Sequence, residues 1–455
     1  MRVTWTNLTM APEGAEVELA GYPMAAGGAR QARHFLLLPE ASCCPGHAPR
    51  DPSGAVEITA GQSITLGNGA MRLRGTWRVC LDGWRYQLHD AQPIDPPGWR
   101  AVTRRGLLAA GPLMCLAAPE GSAAAEPTRV QAVIAAGSAV DIHSHAGGIA
   151  NALRIRAGSG YSAITAPMRR GGMAAICLAM VSDSPTHHVV DGRIRPYRTP
   201  DAGELYAYGT LAFGRIRALV ENESLRIIAR AADMRAISHA APGVIIAAEG
   251  ADFLEGRIDR LAEAYDRWTL RHLQLTHYRV NELGDIQTEP PEHRGLTDFG
   301  AEVIRACNRI GIVVDVAHGT LDLVKRAAAV TTKPLVLSHT SLSNRPGPTS
   351  RQITAEHAKI VAGTGGVIGV WPLASVYPTL PAMAVGIARL ADVVGVEHVG
   401  LGSDLRGLLG GTVFADDDAL PDLAEALLQT GFNEPDTVKI LGGNYARVFN
   451  ASMAE

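Results

Sequence analysis

Eight short apolar runs occupy the last two-thirds of the chain, and six of them end on a side chain that can bind a metal or move a proton. They run from Ala139 to His143, Ala174 to Val181, Gly243 to Glu249, Leu270 to His277, Ile312 to His318, Pro334 to His339, Gly365 to Trp371 and His398 to Asp404. Runs of Val, Ile, Leu and Ala without polar alternation suit strands buried on both faces, and helical patterns follow most of them. Alternating strands and helices imply right-handed crossovers and a parallel sheet, and eight of them close as a (β/α)8 barrel. Side chains at the carboxyl ends of such strands gather at one face of the barrel, where this fold carries its chemistry.

The runs place the barrel within residues 126–455, so the first hundred residues need a separate account. They alternate around Val17 to Tyr22, His34 to Leu38 and Met71 to Val79, broken by Gly and Pro, which predicts a small all-β domain over 1–100 resembling an OB fold. Vicinal Cys43 and Cys44 with His47 nearby lack the company of a metal site. Between the two parts, residues 101–125 read as a linker resembling a twin-arginine signal. Arg104 and Arg105 precede an apolar stretch to Ala117, and Ser122 to Ala125 offer a small-residue cleavage site. This predicts periplasmic or secreted localisation, or a cytoplasmic protein if the internal signal is not used.

A net charge of −3 and no long Lys/Arg cluster exclude a general affinity for nucleic acid or anionic membranes. No run reaches the roughly 18 to 20 uncharged apolar residues of a membrane span. The expected partner is a small molecule.

His143 and His145 lie two apart on one strand, so their imidazoles face the same way and can share one metal. Glu249, His318 and His339 end three other strands of the same barrel. A carboxylate can bridge two cations while each keeps imidazole ligands, which predicts a two-metal site with Glu249 between. The four lysines, Lys325, Lys333, Lys359 and Lys439, end no strand, so no lysine is placed to form a carbamate bridge. Nitrogen and carboxylate donors without thiolate favour two Zn ions, with Mn, Co or Fe as substitutes. Cys177 and Cys307 fall on a strand and a helix, as free buried thiols. His187 and His188, in the loop after the second strand, read as incidental.

The stretch from Gly295 to Gly300, the run from Arg309 to His318, Leu337 to Ser341, Gly402 to Asp404 and Lys439 to Phe449 together resemble the membrane (renal) dipeptidase family, peptidase family M19. The resemblance covers about residues 138 to 451. It implies that His143, Glu249, His318 and His339 are zinc ligands, and that His277 polarises the scissile carbonyl and steadies the oxyanion. It implies that Arg351 grips the substrate carboxylate with two hydrogen bonds and that Asp404 carries the proton between water and leaving amine. A dipeptidase tolerant of a carboxyl-terminal D residue, often a homodimer, is the expected activity. The chain departs from the family pattern at two positions, His145 and Arg406, where acidic residues are usual. The His143/His145 pair is commoner in the wider amidohydrolase superfamily, which keeps a lactonase, acylamino-acid hydrolase or deaminase as the alternative. A non-catalytic binding barrel would have lost a ligand or Asp404, and none is lost.

Overall fold

The computed structural model describes residues 5, 8, 11–24, 31–39, 55–66, 71–79, 86–94, 128–136, 139–150, 155 and 161–453. The twin-arginine-like segment, Cys43, Cys44 and His47 lie outside them. The chain falls into two units, Met1–Gly121 and Ser122–Glu455.

The first unit is a closed five-stranded barrel of β1 (Glu16–Met24), β2 (Gln31–Leu38), β3 (Val56–Thr65), β4 (Met71–Val79) and β5 (Tyr86–Pro93), in the order β1-β2-β3-β5-β4. Alternation puts Val17, Leu19, Leu73 and Trp77 on the inner face, all fully buried. Trp77 stacks on Tyr86 at 5.4 Å between ring centroids. The parallel pairing of β3 with β5 joins strands far apart in sequence, while every other pairing is antiparallel.

In the second unit eight parallel strands form the predicted barrel. They are β6 (Val140–Ser144), β7 (Ala175–Val181), β11 (Gly243–Glu249), β12 (Leu270–Gln274), β13 (Val313–Asp315), β14 (Leu335–Thr340), β15 (Val367–Val370) and β16 (Val399–Leu401). Between β7 and β11 come an antiparallel hairpin, β8 (His187–Val190) with β9 (Arg193–Pro196), and a short strand, β10 (Arg226–Ile227), that pairs with β11. Every residue of β7 and β11 is buried, as strands covered on both faces require. The circle closes where the Asp404 amide donates to the His143 carbonyl and the His145 amide to the Leu405 carbonyl, each at 2.9 Å. Four consecutive helices, Asp298–Ile310, Leu321–Val330, Ala355–Gly363 and Leu380–Val394, start on threonine caps. Each cap hydroxyl accepts an otherwise unpaired backbone amide, which contributes about 1 kcal/mol per helix. No helix among the described residues is long and apolar enough to cross a membrane. Cys177 on β7 and Cys307 on the helix Asp298–Ile310 are buried free thiols.

Three of the apolar runs overshoot the strands they contain by three residues. His277, His318 and Asp404 each sit three residues beyond the ends of β12, β13 and β16, whereas His143, Glu249 and His339 lie within β6, β11 and β14. The overshoot takes backbone strain, since His318 and Asp404 have φ of 68° and 48°. Non-glycine residues held in the left-handed region cluster at functional sites, where the surrounding fold over-determines them.

Candidate metal centre

The strand ends deliver four imidazoles to one carboxylate. Glu249 Oε1 lies 3.2 Å from His318 Nε2 and 3.5 Å from both His143 Nε2 and His339 Nε2, and Oε2 lies 3.2 Å from His145 Nε2. The Nε2 atoms of His143 and His145 are 3.2 Å apart, and those of His318 and His339 are 3.1 Å apart. Donors bound at 2.0 to 2.1 Å around a tetrahedral cation stand about 3.3 to 3.4 Å from each other. Among the described residues two triads with the spacing of a metal site, His143–His145–Glu249 and Glu249–His318–His339, share the carboxylate, and a third group, Asp183–His187–His277, does not include it.

Electrostatics treats the clustered imidazoles unequally. The Glu249 carboxyl is buried, which by itself would raise its pKa, yet the His277 and His143 imidazoles hold it well below the usual carboxylate range. Burial, with Arg351 nearby, pushes His318 and His339 down, so their nitrogens are neutral and can act as ligands. Burial also opposes charge on His145, but Asp404 and Glu249 outweigh it and lift its pKa to about 10. Without a cation this imidazole therefore holds a proton, which a metal ion bound there would displace.

Hydrogen bonds outside the cluster aim its ligands. His145 donates Nδ1–H to the Ala179 carbonyl at 2.8 Å, which turns Nε2 into the cluster. Asp141 accepts from the amides of Ser403, at 2.8 Å, and His143, at 3.3 Å, and from the Ser403 hydroxyl. Asp315 accepts from the Ala317 amide at 2.9 Å and the Ser338 amide at 3.1 Å, fixing the backbone beside His318 and His339. Its other oxygen meets His272 Nε2 at 3.1 Å, and His272 reaches Tyr445 in turn at 2.8 Å. Both carboxylates lie inside apolar runs, and neither was singled out from the sequence.

The other expected site residues converge on the same place. His277 Nε2 is 3.3 Å from Glu249, and its Nδ1–H donates to Asp183 at 2.7 Å. Asp183 also accepts the Tyr278 amide at 3.0 Å, and the His277 and His187 imidazoles keep its buried carboxylate ionised against the effect of burial. Arg351 is buried, donating to Gln287 Oε1 at 2.9 Å and lying 3.0 Å from His339 Nε2. Asp404 Oδ1 lies 3.4 Å from His145 Nε2. His277, Arg351 and Asp404 line one cavity of about 660 Å³. His187, read as incidental, lines it too, with its ring 5.5 Å from that of His277. It is placed there by the hairpin β8–β9, whose Asp191-Gly192 turn has both residues at positive φ, the two-residue form an Asp-Gly pair favours. Arg406 is exposed and borders the cavity.

Fold and cluster together define a (β/α)8 barrel carrying a His/Glu metal centre at the carboxyl ends of its strands. The model of the membrane dipeptidase family, peptidase family M19, matches residues 211–454, and the chain belongs to that family. It is 32% identical over 197 residues to dipeptidase aclJ of Aspergillus oryzae, covering 40% of this chain and 46% of that protein. It is 29% identical over 194 residues to dipeptidase verJ of Clonostachys rogersoniana, covering 41% and 49%. The matched region thus spans about half the length of these curated relatives. The fold is shared with a metallo peptidase from Rhodobacter sphaeroides liganded with a phosphinate mimic of the dipeptide L-Ala-D-Ala (TM-score 0.59, 21% identity, 69% of this chain and 99% of that one). It is shared as well with an amidohydrolase from Pseudomonas aeruginosa (TM-score 0.57, 21% identity, 72% and 99%).

Proposed function

We propose that this chain is a binuclear metal-dependent dipeptidase acting on short peptides with a free terminal carboxylate, D residues at the carboxyl-terminal position included. His143, His145 and Glu249 would hold one cation, and Glu249, His318 and His339 the other. Zn suits this nitrogen and carboxylate set, with Mn, Co or Fe as substitutes. Such a pair of cations supplies Lewis acidity, acidifying water and polarising the amide carbonyl. His277 donates from Nε2 to the developing oxyanion while Asp183 anchors its Nδ1–H. Asp404 moves the proton to the departing amine.

The observation that carries this reading is the buried guanidinium of Arg351 beside His339, a planar donor suited to gripping a carboxylate at fixed distance from the metal centre. The test compares Ala-Ala dipeptides (L,L and L,D) with the same dipeptides amidated at the carboxyl end, using the Zn-loaded full chain. Amidation is expected to lower kcat/KM by about 100-fold, and Arg351→Ala to remove the distinction. Equal cleavage of acids and amides would sink it. The His143/His145 pair favours one second reading, another amidohydrolase acting on lactones, acylamino acids or amines, which would need no grip from Arg351.

Asp183→Asn is expected to lower kcat by roughly 10- to 100-fold with metal content unchanged, because the neutral amide lets the His277 ring change tautomer and orientation. Metal analysis beside kinetics checks this, and loss of metal in the variant would contradict a role confined to His277. The twin-arginine-like segment supports export of the folded, metal-loaded enzyme to the periplasm or beyond, and the family resemblance supports pairing as a homodimer.

A further inference from the structure

Three guanidinium groups among the described residues line the cavity, Arg193, Arg351 and Arg406, against two carboxylates, Glu249 and Asp404. The proposed chemistry uses both carboxylates, one for the cations and one for the proton, and it uses Arg351 for the substrate terminus. Arg193 has no part in it, yet the structure holds it in place. The Asp191-Gly192 turn presents it at the tip of the hairpin, and its Nη2 donates to the Thr288 carbonyl at 3.1 Å. A guanidinium carries five N–H donors, so that carbonyl accounts for one of them. Among the described residues no carboxylate lies within ion-pair distance of Arg193, whereas its hairpin neighbour Arg195 has Glu289 at 3.4 Å.

Its placement relative to Arg351 points to a ligand. Arg351 donates to the side chain of Gln287, and Arg193 donates to the carbonyl of the next residue, Thr288. Consecutive residues of one segment thus tie down two cations that line the same cavity. Like charges gathered in one pocket repel, and a ligand bringing a second negative charge there removes that cost and gains a charge-assisted hydrogen bond. A ligand with one carboxylate satisfies Arg351 alone.

We infer that Arg193 forms a subsite for an acidic side chain on the carboxyl-terminal residue, so that the substrate class is dipeptides ending in Glu or Asp. The inference rests on the dipeptidase reading above. One residue then presents two carboxylates, its terminus to Arg351 and its side chain to Arg193.

Zn-loaded full chain, Arg193→Gln and Arg193→Lys are compared on Ala-Glu and Ala-Gln, each with an L and a D second residue. Glutamine has the shape of glutamate without its charge. The expected result is a kcat/KM for Ala-Glu roughly 10- to 100-fold above that for Ala-Gln, a ratio near one in Arg193→Gln, and a partial return in Arg193→Lys. Cleavage of both peptides without preference, or a preference that survives Arg193→Gln, overturns the subsite and leaves the dipeptidase reading intact. If neither is cleaved, the dipeptidase reading fails, and calorimetric binding of the two peptides decides the subsite. Tighter binding of Ala-Glu that depends on Arg193 supports it, and equal binding overturns it.

Discussion

Glu249→Gln is expected to cost the protein most of its bound metal and at least about three orders of magnitude in kcat. Glu249 is the one carboxylate that approaches all four clustered imidazoles, with contacts of 3.2 to 3.5 Å from its two oxygens. Glutamine keeps the shape but loses the negative charge, and its amide N–H groups point toward nitrogens that need their lone pairs for a cation. Lewis-acid stabilisation worth several kcal/mol is lost with the metal, and each 1.36 kcal/mol is tenfold in rate. The fold itself should tolerate the change, because a buried neutral amide is easier to desolvate than a buried carboxylate. Elemental analysis of the purified full chain after Zn loading checks the expectation, with near two equivalents in the parent and fewer than one in the variant. Two equivalents in Glu249→Gln would remove Glu249 from the bridging position.

That Glu249 could be picked from the sequence follows from the barrel. In a strand buried on both faces a charged residue is costly unless it is paired, so a polar side chain closing an apolar run marks the functional rim. His143, Glu249 and His339 were legible on this ground, and His277, His318 and Asp404 were legible as residues although they stand beyond the strands that their runs suggested. Periodicity carries no information on where a strand gives way to a turn in the left-handed region, so the overshoot was not visible. The first unit shows a similar limit. Alternation marked three of its strands, while β3 and β5, which carry the parallel pairing inside the barrel, passed unmarked.

The supporting residues were hidden for a different reason. Asp141 and Asp315 look like interruptions of apolar runs, and their function of holding backbone amides next to the ligands depends on which strands become neighbours. Asp183 offers no pattern at all before β7 and β12 bring it to His277. The hairpin was recoverable, since Asp191-Gly192 between HHVV and RIRP is a strong local signal for a two-residue turn. Reading it would have moved His187 and Arg193 from a loose loop to a wall of the cavity.

Asp404→Asn is expected to leave the metals in place and to lower kcat on dipeptides by roughly 10²- to 10⁴-fold, the range for removal of a positioned proton donor. The backbone around Asp404 is organised to aim that one carboxylate. Its φ of 48° is unfavourable for a side-chain-bearing residue, its amide is tied to the His143 carbonyl, and a Cβ at position 407 would come 2.1 Å from Oδ1. Gly407 therefore leaves the space that the carboxylate occupies, and the strain is held by the barrel closure. Among the clustered ligands Asp404 approaches His145, at 3.4 Å, and its loss leaves Glu249 beside all four imidazoles, so metal content should hold. The discriminating measurement varies the leaving group. An amide nitrogen must be protonated to depart, whereas an activated ester of the same acyl group leaves without a proton, so the loss in Asp404→Asn should shrink toward the parent rate on the ester. An equal loss on amide and ester would show that Asp404 shapes the site and does not carry the proton.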